Sequence, residues 1–259
     1  MKPINLTTLF TTPLSNTAQI QQTGFKGSDI RTFNYNEVGF PQDNFVSNPL
    51  TSDFSDRSKI ERIAKSNPRI MQLLKENGIK LRVNLDELKA LQKGHLNETR
   101  VIAAKICSNI ADPELKKQVK MQDIQQAALL HDYGKVLIPQ KVLNKPGALT
   151  PDERKIMQLH SELGYELLKD QGVNDNVLRL IKYHHQNADG NGYPKPDDDF
   201  EYDINIQILH VADMYSALTE DRVYRKACTK EEAFEKIQER VNAGFVSQEV
   251  LDALKKGLN

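Results

Sequence analysis

The pattern of hydrophobic and polar positions divides the chain into an irregular N-terminal part and a helical remainder. Residues 1–57 are rich in Thr, Ser, Asn, Gln and Pro and show no sustained apolar period. Such a segment buries too little apolar surface to offset its ordering entropy, so we predict a polar extension that is disordered or loosely packed. Beyond it, apolar residues recur at helical spacing, which predicts a helical lead-in over residues 58–87 and a domain over residues 88–259.

Helix start signals recur along the predicted domain. Thr150 with Glu153, and Thr229 with Glu232, place a hydroxyl three residues before a glutamate, which is the pattern of a capping box. Periodicity and caps predict helices over residues 99–110, 121–133, 150–169, 174–185, 204–218, 230–242 and 248–256. Because no segment has the alternation of a strand, the predicted class is all-α.

Composition narrows the function classes. Lys+Arg and Asp+Glu both number 35, so the formal net charge is zero and neither a nucleic-acid polymer nor a membrane surface is an expected partner. No apolar run reaches the ~20 residues that a transmembrane helix needs, and the N-terminus is too polar for a signal peptide. Cys107 and Cys228 are predicted to be reduced thiols. These features predict a cytoplasmic protein.

The candidate chemistry begins with His131-Asp132, in the string LLHDYGK at the end of a predicted helix. Further imidazoles and one more carboxylate lie in or beside other predicted helices: His95, His160, His184, His185 and Asp213. Such an imidazole-rich set favours a transition metal over magnesium or calcium, which prefer oxygen ligands. Iron or manganese is expected, with zinc, nickel or cobalt as alternatives.

Seven donors exceed what one small ion can use, so we predict two divalent ions that share Asp132. The first ion is assigned to His95, His131, Asp132 and Asp213, and the second to Asp132, His160, His184 and His185. Two such ions can activate a bridging water and stabilise the departing oxygen of a phosphodiester. The residues therefore predict a metal-dependent phosphodiesterase without a Ser or Cys nucleophile.

Four motifs resemble one family. HDYGK is similar to the HDxGK signature of HD-domain phosphohydrolases, and HHQNADGNGYP, at residues 184–194, is similar to the HHExxDGxGYP signature of the HD-GYP branch. The segments IPQKVLNKPGALTPDERKIMQLHSELGYELL and VADMYSALTEDRVYRKA also resemble that branch. The resemblance covers the chain from about Leu88 to the C-terminus. It implies an HD-type helical bundle with two or three metal ions that hydrolyses cyclic di-GMP to pGpG or GMP.

The resemblance also assigns roles to individual residues. The family's metal ligands fall on the seven donors named above, and Asp132 and Lys135 are the implied catalytic residues. Lys135 matches a lysine that contacts a substrate phosphate, and Arg222 and Arg225 match basic positions that face the dinucleotide. Tyr193 belongs to the GYP loop, which the family uses near the substrate and for contacts with protein partners.

Several positions depart from the family pattern. Gln186 replaces a glutamate, which is expected to weaken support of the adjacent histidines. Leu91 stands where members with three metals have a glutamate, which predicts a binuclear centre. Ser216 replaces a common aspartate, and residues 197–203 lack the usual basic and glycine-rich character. His210 lies at a variable position, and we predict a structural or solvent-facing role for it.

These departures leave two alternatives open beside the main interpretation. One is an HD phosphohydrolase that acts on another nucleotide, as Gln186 and the acidic loop indicate. The other is a non-catalytic protein that binds a ligand or a partner, which the polar N-terminal segment and Ser216 favour. The retained metal donors argue against this second alternative.

Overall fold

The computed structural model of the chain describes residues 56–86, 94–221 and 226–259. Within these stretches the secondary structure is helical and no strand occurs, apart from one isolated bridge between His185 and Tyr193. The predicted all-α class is confirmed. The predicted extension over residues 1–57 lies outside the described residues, except for Asp56 and Arg57.

Eleven α-helices lie entirely within the described residues and are numbered in chain order. They are α1 (Arg57–Ser66), α2 (Pro68–Glu76), α3 (His95–Asn109), α4 (Pro113–Gln118), α5 (Met121–Leu130), α6 (Gln140–Leu143), α7 (Pro151–Leu168), α8 (Asp175–Tyr183), α9 (Ile204–Thr219), α10 (Lys230–Asn242) and α11 (Gln248–Leu258). A 3₁₀ helix over Tyr133–Leu137 lies between α5 and α6. None of the helices within the described residues is both long enough and apolar enough to cross a bilayer.

Two boundaries matter for the site. The helix predicted from residue 99 begins at His95, so this histidine is the first residue of α3 and does not precede it. The helix predicted to reach Tyr133 ends at Leu130, and the 3₁₀ helix then carries Lys135. The capping boxes predicted at α7 and α10 are both present.

The core forms around α3, which packs against α5, α9 and α11. A second contact layer joins α7 to the 3₁₀ helix and to α8. Fully buried aliphatic side chains such as Ile106, Leu130 and Leu163 belong to one continuous cluster. Each contributes roughly 1.5–3 kcal/mol by leaving water. This core holds α3, α5, α7, α8 and α9 in fixed relative positions.

The lead-in helices attach to α7. Asn67 caps α2 and also donates to the Glu166 carboxylate at 2.8 Å, while Arg69 donates to Glu162 at 2.8 Å. The apolar faces of α1 and α2 join the same core through Ile60 and Ile70. The described part of the lead-in is therefore packed on the helix that carries His160.

Candidate metal centre

Three of the predicted metal donors are oriented in the same way by backbone carbonyls. The Nδ1 atoms of His131, His160 and His184 lie 2.9, 2.8 and 2.8 Å from the carbonyl oxygen three residues earlier in the chain. A carbonyl only accepts, so each Nδ1 must carry the proton. In the neutral imidazole, each Nε2 then presents a lone pair to the centre of the cluster.

These lone pairs converge without a proton between them. The Nε2 atoms of His160 and His184 are 3.2 Å apart, and Nε2 of His131 is buried with no hydrogen-bond partner. Buried polar atoms are normally satisfied, and facing lone pairs repel each other. A cation bound among these nitrogens would resolve both problems, so the residues fit a metal ion.

Asp132 lies between two groups of donors. Its Oδ2 is 3.5 Å from His131 Nε2 and 3.7 Å from His95 Nε2, and its Oδ1 is 3.5 Å from His160 Nε2. Donor atoms within 4.8 Å of one another form three groups: His95 with His131 and Asp132, His160 with His184 and His185, and His131 with His184 and Asp213. The carboxylate therefore faces both groups of histidines, one with each oxygen.

Asp213 reaches the first group from α9. Its Oδ1 lies 2.9 Å from His95 Nε2 and 3.5 Å from His131 Nε2. The structure thus brings all seven predicted donors into one cluster. Their role as metal ligands stays a prediction.

Burial and mutual charge set the protonation of the cluster. Burial, reinforced by neighbouring imidazoles, holds the pKa of His184 and His185 well below the usual histidine value, and burial lowers the pKa of His160 to about 4. Burial alone would raise the pKa of Asp132, but Lys135 and the histidines more than offset it, so that this pKa lies well below its usual value. Neutral imidazoles and ionised carboxylates are the forms that bind metals.

His131 differs from these histidines in the direction of its pKa shift. Burial lowers its pKa, but the charges of Asp132 and Asp213 more than compensate, and the net shift is upward. Asp213 shows the complementary effect, because its pKa is lowered by His131 and His95 in spite of burial.

A close approach between two helices places the His131-Asp132 turn against α7. A Cβ atom at Gly134 would lie 2.0 Å from the His160 carbonyl oxygen and 2.5 Å from the Gly164 amide nitrogen. Only glycine leaves room for this backbone contact. The glycine of the HDYGK string is therefore required to bring Asp132 within reach of His160.

Lys135 lies at the edge of the cluster. Its Nζ is 2.7 Å from Asp132 Oδ2, and 19% of its side chain is exposed. This position leaves an ammonium beside the donors and accessible to a ligand. The other predicted phosphate contacts, Arg222 and Arg225, and the position of Leu91 lie outside the described residues.

Gln186 has a different function from the one expected. Its buried side chain points to the GYP loop, where Nε2 donates to the Pro194 carbonyl and Oε1 accepts from the Gly192 amide at 3.1 Å. A glutamate could accept but could not donate to a carbonyl while ionised. The substitution therefore adds a bond to the loop, and the expected loss of support for the histidines is not what its contacts indicate.

The loop lies directly on the second histidine group. A Cβ at Gly192 would come within 2.2 Å of the His185 carbonyl oxygen, and the ring of Tyr193 stacks on His185 with centroids 4.6 Å apart. Asp189 orders the turn by accepting from the Asn191 amide at 3.0 Å, as such a residue usually does in a loop. Tyr193 is thus placed beside the proposed second ion.

The structure corrects the prediction for His210 and adds one residue, Glu98, that the sequence analysis did not identify. His210 is only 8% exposed and its Nδ1 has no hydrogen-bond partner, so the solvent-facing alternative is wrong and a structural role remains. Glu98 was not predicted, yet it accepts from Ser216 Oγ at 3.3 Å, and that hydroxyl also lies 3.0 Å from His95 Nδ1. The available signal was its position three residues after His95, on the same face of α3.

Comparison with known proteins agrees with the motifs. The sequence pattern of the HD domain family matches residues 83–245. The cyclic di-GMP phosphodiesterase of Thermotoga maritima is 37% identical over 155 residues, which cover 58% of this chain and 41% of that protein. The cyclic di-GMP phosphodiesterase response regulator RpfG of Xanthomonas campestris is 40% identical over 113 residues, covering 42% and 30%.

A third relative is named for another substrate. The 3'3'-cGAMP-specific phosphodiesterase 3 of Vibrio cholerae is 32% identical over 136 residues, which cover 52% of this chain and 29% of that protein. The matched segment spans less than half of each of these three relatives. Because the family pattern covers more than half of the sequence, the chain belongs to the HD domain family, and it is of the HD-GYP type that its motifs predicted.

Proposed function

We propose that the chain is a metal-dependent phosphodiesterase that hydrolyses cyclic di-GMP to pGpG or GMP. The observation that carries the proposal is the position of Asp132, whose two oxygens face two separate groups of histidines. A carboxylate shared between two ions is a common feature of sites that clamp the attacking and leaving oxygens of a phosphodiester. The family relationship and the geometry support the same reaction class.

Two divalent transition metal ions are the proposed cofactor, iron or manganese first, with zinc, nickel or cobalt as alternatives. The first would be held by His95, His131, Asp132 and Asp213, and the second by Asp132, His160, His184 and His185. When bound, such ions lower the pKa of a water molecule and offset the charge of the phosphodiester. The donor set, with five imidazoles and two carboxylates, suits these metals better than magnesium.

The residues of the chain supply orientation and charge. The backbone carbonyls that accept from Nδ1 hold the imidazoles of His131, His160 and His184 in one tautomer before any ion binds. Lys135 can turn from Asp132 to a substrate phosphate, because its ammonium lies at the exposed edge of the cluster. Asp132 and Lys135 are therefore the proposed catalytic residues, and Tyr193, Arg222 and Arg225 the further contacts to substrate.

The experiment is a cleavage assay on protein purified without oxygen and loaded with Mn²⁺ or Fe²⁺. Cyclic di-GMP is incubated with the wild type and with Asp132→Ala, and the products are separated by chromatography. An exposed carboxylate on α11, Asp252, provides the control variant Asp252→Ala. We expect pGpG or GMP from the wild type and the control and none from Asp132→Ala. The absence of turnover with both metals would overturn the proposal.

Another nucleotide is the second candidate substrate. Two relatives named for 3'3'-cGAMP are 32% and 31% identical to the chain over 136 and 152 residues, and Gln186 changes the loop that lies beside the cluster. Offering cyclic di-GMP and 3'3'-cGAMP together at equal concentration separates the two substrates. If 3'3'-cGAMP is hydrolysed preferentially, it is the substrate in place of cyclic di-GMP. The assignment of the chain as a phosphodiesterase is then unchanged.

A non-catalytic ligand-binding protein is the third candidate. It predicts that cyclic di-GMP binds to the metal-loaded chain and is recovered unchanged. Equilibrium dialysis followed by chromatography of the recovered ligand distinguishes this outcome from catalysis. Contact of a protein partner with the GYP loop stays a prediction.

A further inference from the structure

His95 is oriented differently from the other donors with assigned tautomers. Its Nδ1 does not face a backbone carbonyl, but lies 3.0 Å from the hydroxyl of Ser216 on α9. That hydroxyl is buried and donates to the Glu98 carboxylate on α3, one turn beyond His95. The tautomer of His95 is therefore set by two side chains from different helices.

The hydrogens of this chain of bonds are counted for the ionised form of Glu98, whose pKa burial raises although the bond from Ser216 lowers it. An ionised carboxylate only accepts, so in this form the single hydrogen of the Ser216 hydroxyl is committed to Glu98. Ser216 Oγ must then accept from Nδ1 of His95, which leaves Nε2 of the neutral ring without a proton. That Nε2 faces Asp213 Oδ1 at 2.9 Å and Asp132 Oδ2 at 3.7 Å, where a cation is needed between acceptors.

We propose that Glu98 and Ser216 are positioning residues, which together hold His95 in the tautomer that presents Nε2 to the first metal ion. The inference rests on the proposed function, because it concerns the same metal centre. The family has an aspartate where this chain has Ser216. Here a carboxylate still acts on His95, but it comes from Glu98 and acts through the serine hydroxyl.

The test is metal affinity, measured as free Mn²⁺ by electron paramagnetic resonance during titration of the metal-free chain. Ser216→Ala removes the acceptor for Nδ1. Glu98→Gln is nearly isosteric but can donate to Ser216 Oγ, which frees the serine hydrogen to donate to His95 and favours the wrong tautomer. Loss of an outer partner of a metal-bound histidine typically costs 10–100-fold in affinity. We expect both variants to weaken one of the two binding steps by about that factor.

Two controls match these changes. Glu220→Gln makes the same chemical change at a carboxylate 3.9 Å from His95 Nδ1, too far for a hydrogen bond. Ser161→Ala removes another fully buried serine hydroxyl, which donates to the Gln158 carbonyl of its own helix. Both should bind Mn²⁺ within about twofold of the wild type. Circular dichroism spectra and melting temperatures show whether each variant is folded.

A double variant separates positioning from a structural role. Glu98→Gln with Ser216→Asp moves the carboxylate to the position where the family has it, and the new amide at 98 can donate to it. We expect Mn²⁺ affinity to return to within about threefold of the wild type, whereas a merely structural defect at Glu98 would persist.

Three results would each overturn the positioning role of Glu98 and Ser216. The first is wild-type Mn²⁺ affinity in both single variants, and the second is an equal loss of affinity in Ser161→Ala. The third is a double variant that binds Mn²⁺ no better than Glu98→Gln. A wild type that binds no Mn²⁺ would instead contradict the proposed metal centre itself. Because stoichiometry is read from the same titration, the failure of the relay and the failure of the proposed function are distinguishable.

Discussion

The two halves of the candidate metal centre are built by different means. In the half that contains His160 and His184, each ring is oriented by the carbonyl three residues earlier in its own segment. In the other half, His131 is oriented in that same way, but His95 is oriented by Ser216 and Glu98, and Asp213 must arrive from α9. The first of these halves therefore depends on local helical geometry, whereas the second depends in addition on the packing of α3 against α9.

Asp132 connects the halves, and removing its charge should have the largest effect. In Asp132→Asn, the amide nitrogen cannot bind a cation, and both groups of donors lose a shared ligand. We expect the bound Mn²⁺ to fall in both halves and turnover to fall by more than the ~100-fold typical of outer partners. Metal analysis after dialysis, with turnover measured on the same sample, checks this. Retention of two ions would show that the carboxylate does not bridge them.

Gly134→Ala should break the contact between the halves through the backbone. The new methyl group would lie 2.0 Å from the His160 carbonyl oxygen, and neither backbone can yield easily. Overpacking of this kind typically costs about 1–3 kcal/mol, and a clash with backbone atoms lies at the upper end. Urea unfolding measures the loss, with Gly244→Ala as a contrast, because a Cβ there meets nothing within 4 Å and the change costs only the strain of its positive φ of 77°, about 1 kcal/mol. An equal loss at both positions would mean that crowding at Gly134 is unimportant.

Acid should destabilise the metal-free chain mainly through the second half. His160, His184 and His185 have folded-state pKa values below the unfolded value, so the unfolded chain binds more protons as the pH falls. Their contribution is present above the unfolded pKa near 6.5 and is lost toward about 4, the pKa of His160. His131, with its raised pKa, acts in the opposite direction.

The measurement is urea unfolding of the metal-free chain at several pH values between 7 and 4. The free energy of unfolding should fall as the pH is lowered, because the four histidines with lowered pKa values, His210 being the fourth, outweigh His131. In His160→Gln, which removes one of these titrating groups, the slope should be smaller. A stability that rises toward pH 4 would contradict the assigned signs.

The sequence predicted the locally oriented rings better than the ring that is oriented by packing. His184 at a helix end and His131 in the string HDYGK belong to short patterns, and the carbonyl bonds that orient these two rings follow from helical geometry. The position of Glu98 three residues after His95 was a local signal, but its bond to Ser216 depends on how α3 meets α9. The contacts of Gln186 could not be predicted either, because they require the loop to return upon itself so that Pro194 comes within reach.

The smallest expected effect is in the GYP loop, and it should be confined to the second half. Gln186→Glu introduces the glutamate of the family pattern, and this side chain can no longer donate to the Pro194 carbonyl. A lost hydrogen bond costs about 0.5–1.5 kcal/mol, so the loop should loosen over His185 without unfolding the chain. Hydrogen exchange at the Tyr193 amide, which donates to the His185 carbonyl at 3.2 Å, should accelerate by roughly tenfold, the equivalent of about 1.4 kcal/mol.

Gln207→Glu is the matched control for this loop variant. Gln207 accepts from the Ser247 amide at 2.9 Å, a bond that a carboxylate can make equally well. Its exchange pattern and Mn²⁺ binding should therefore be unchanged. Unchanged exchange at the Tyr193 amide in Gln186→Glu would show that the side-chain amide of Gln186 does not hold the loop. A loss of Mn²⁺ at the His95 group in Gln186→Glu would show that the two halves are coupled through the loop. The two halves could then not be treated as independently oriented.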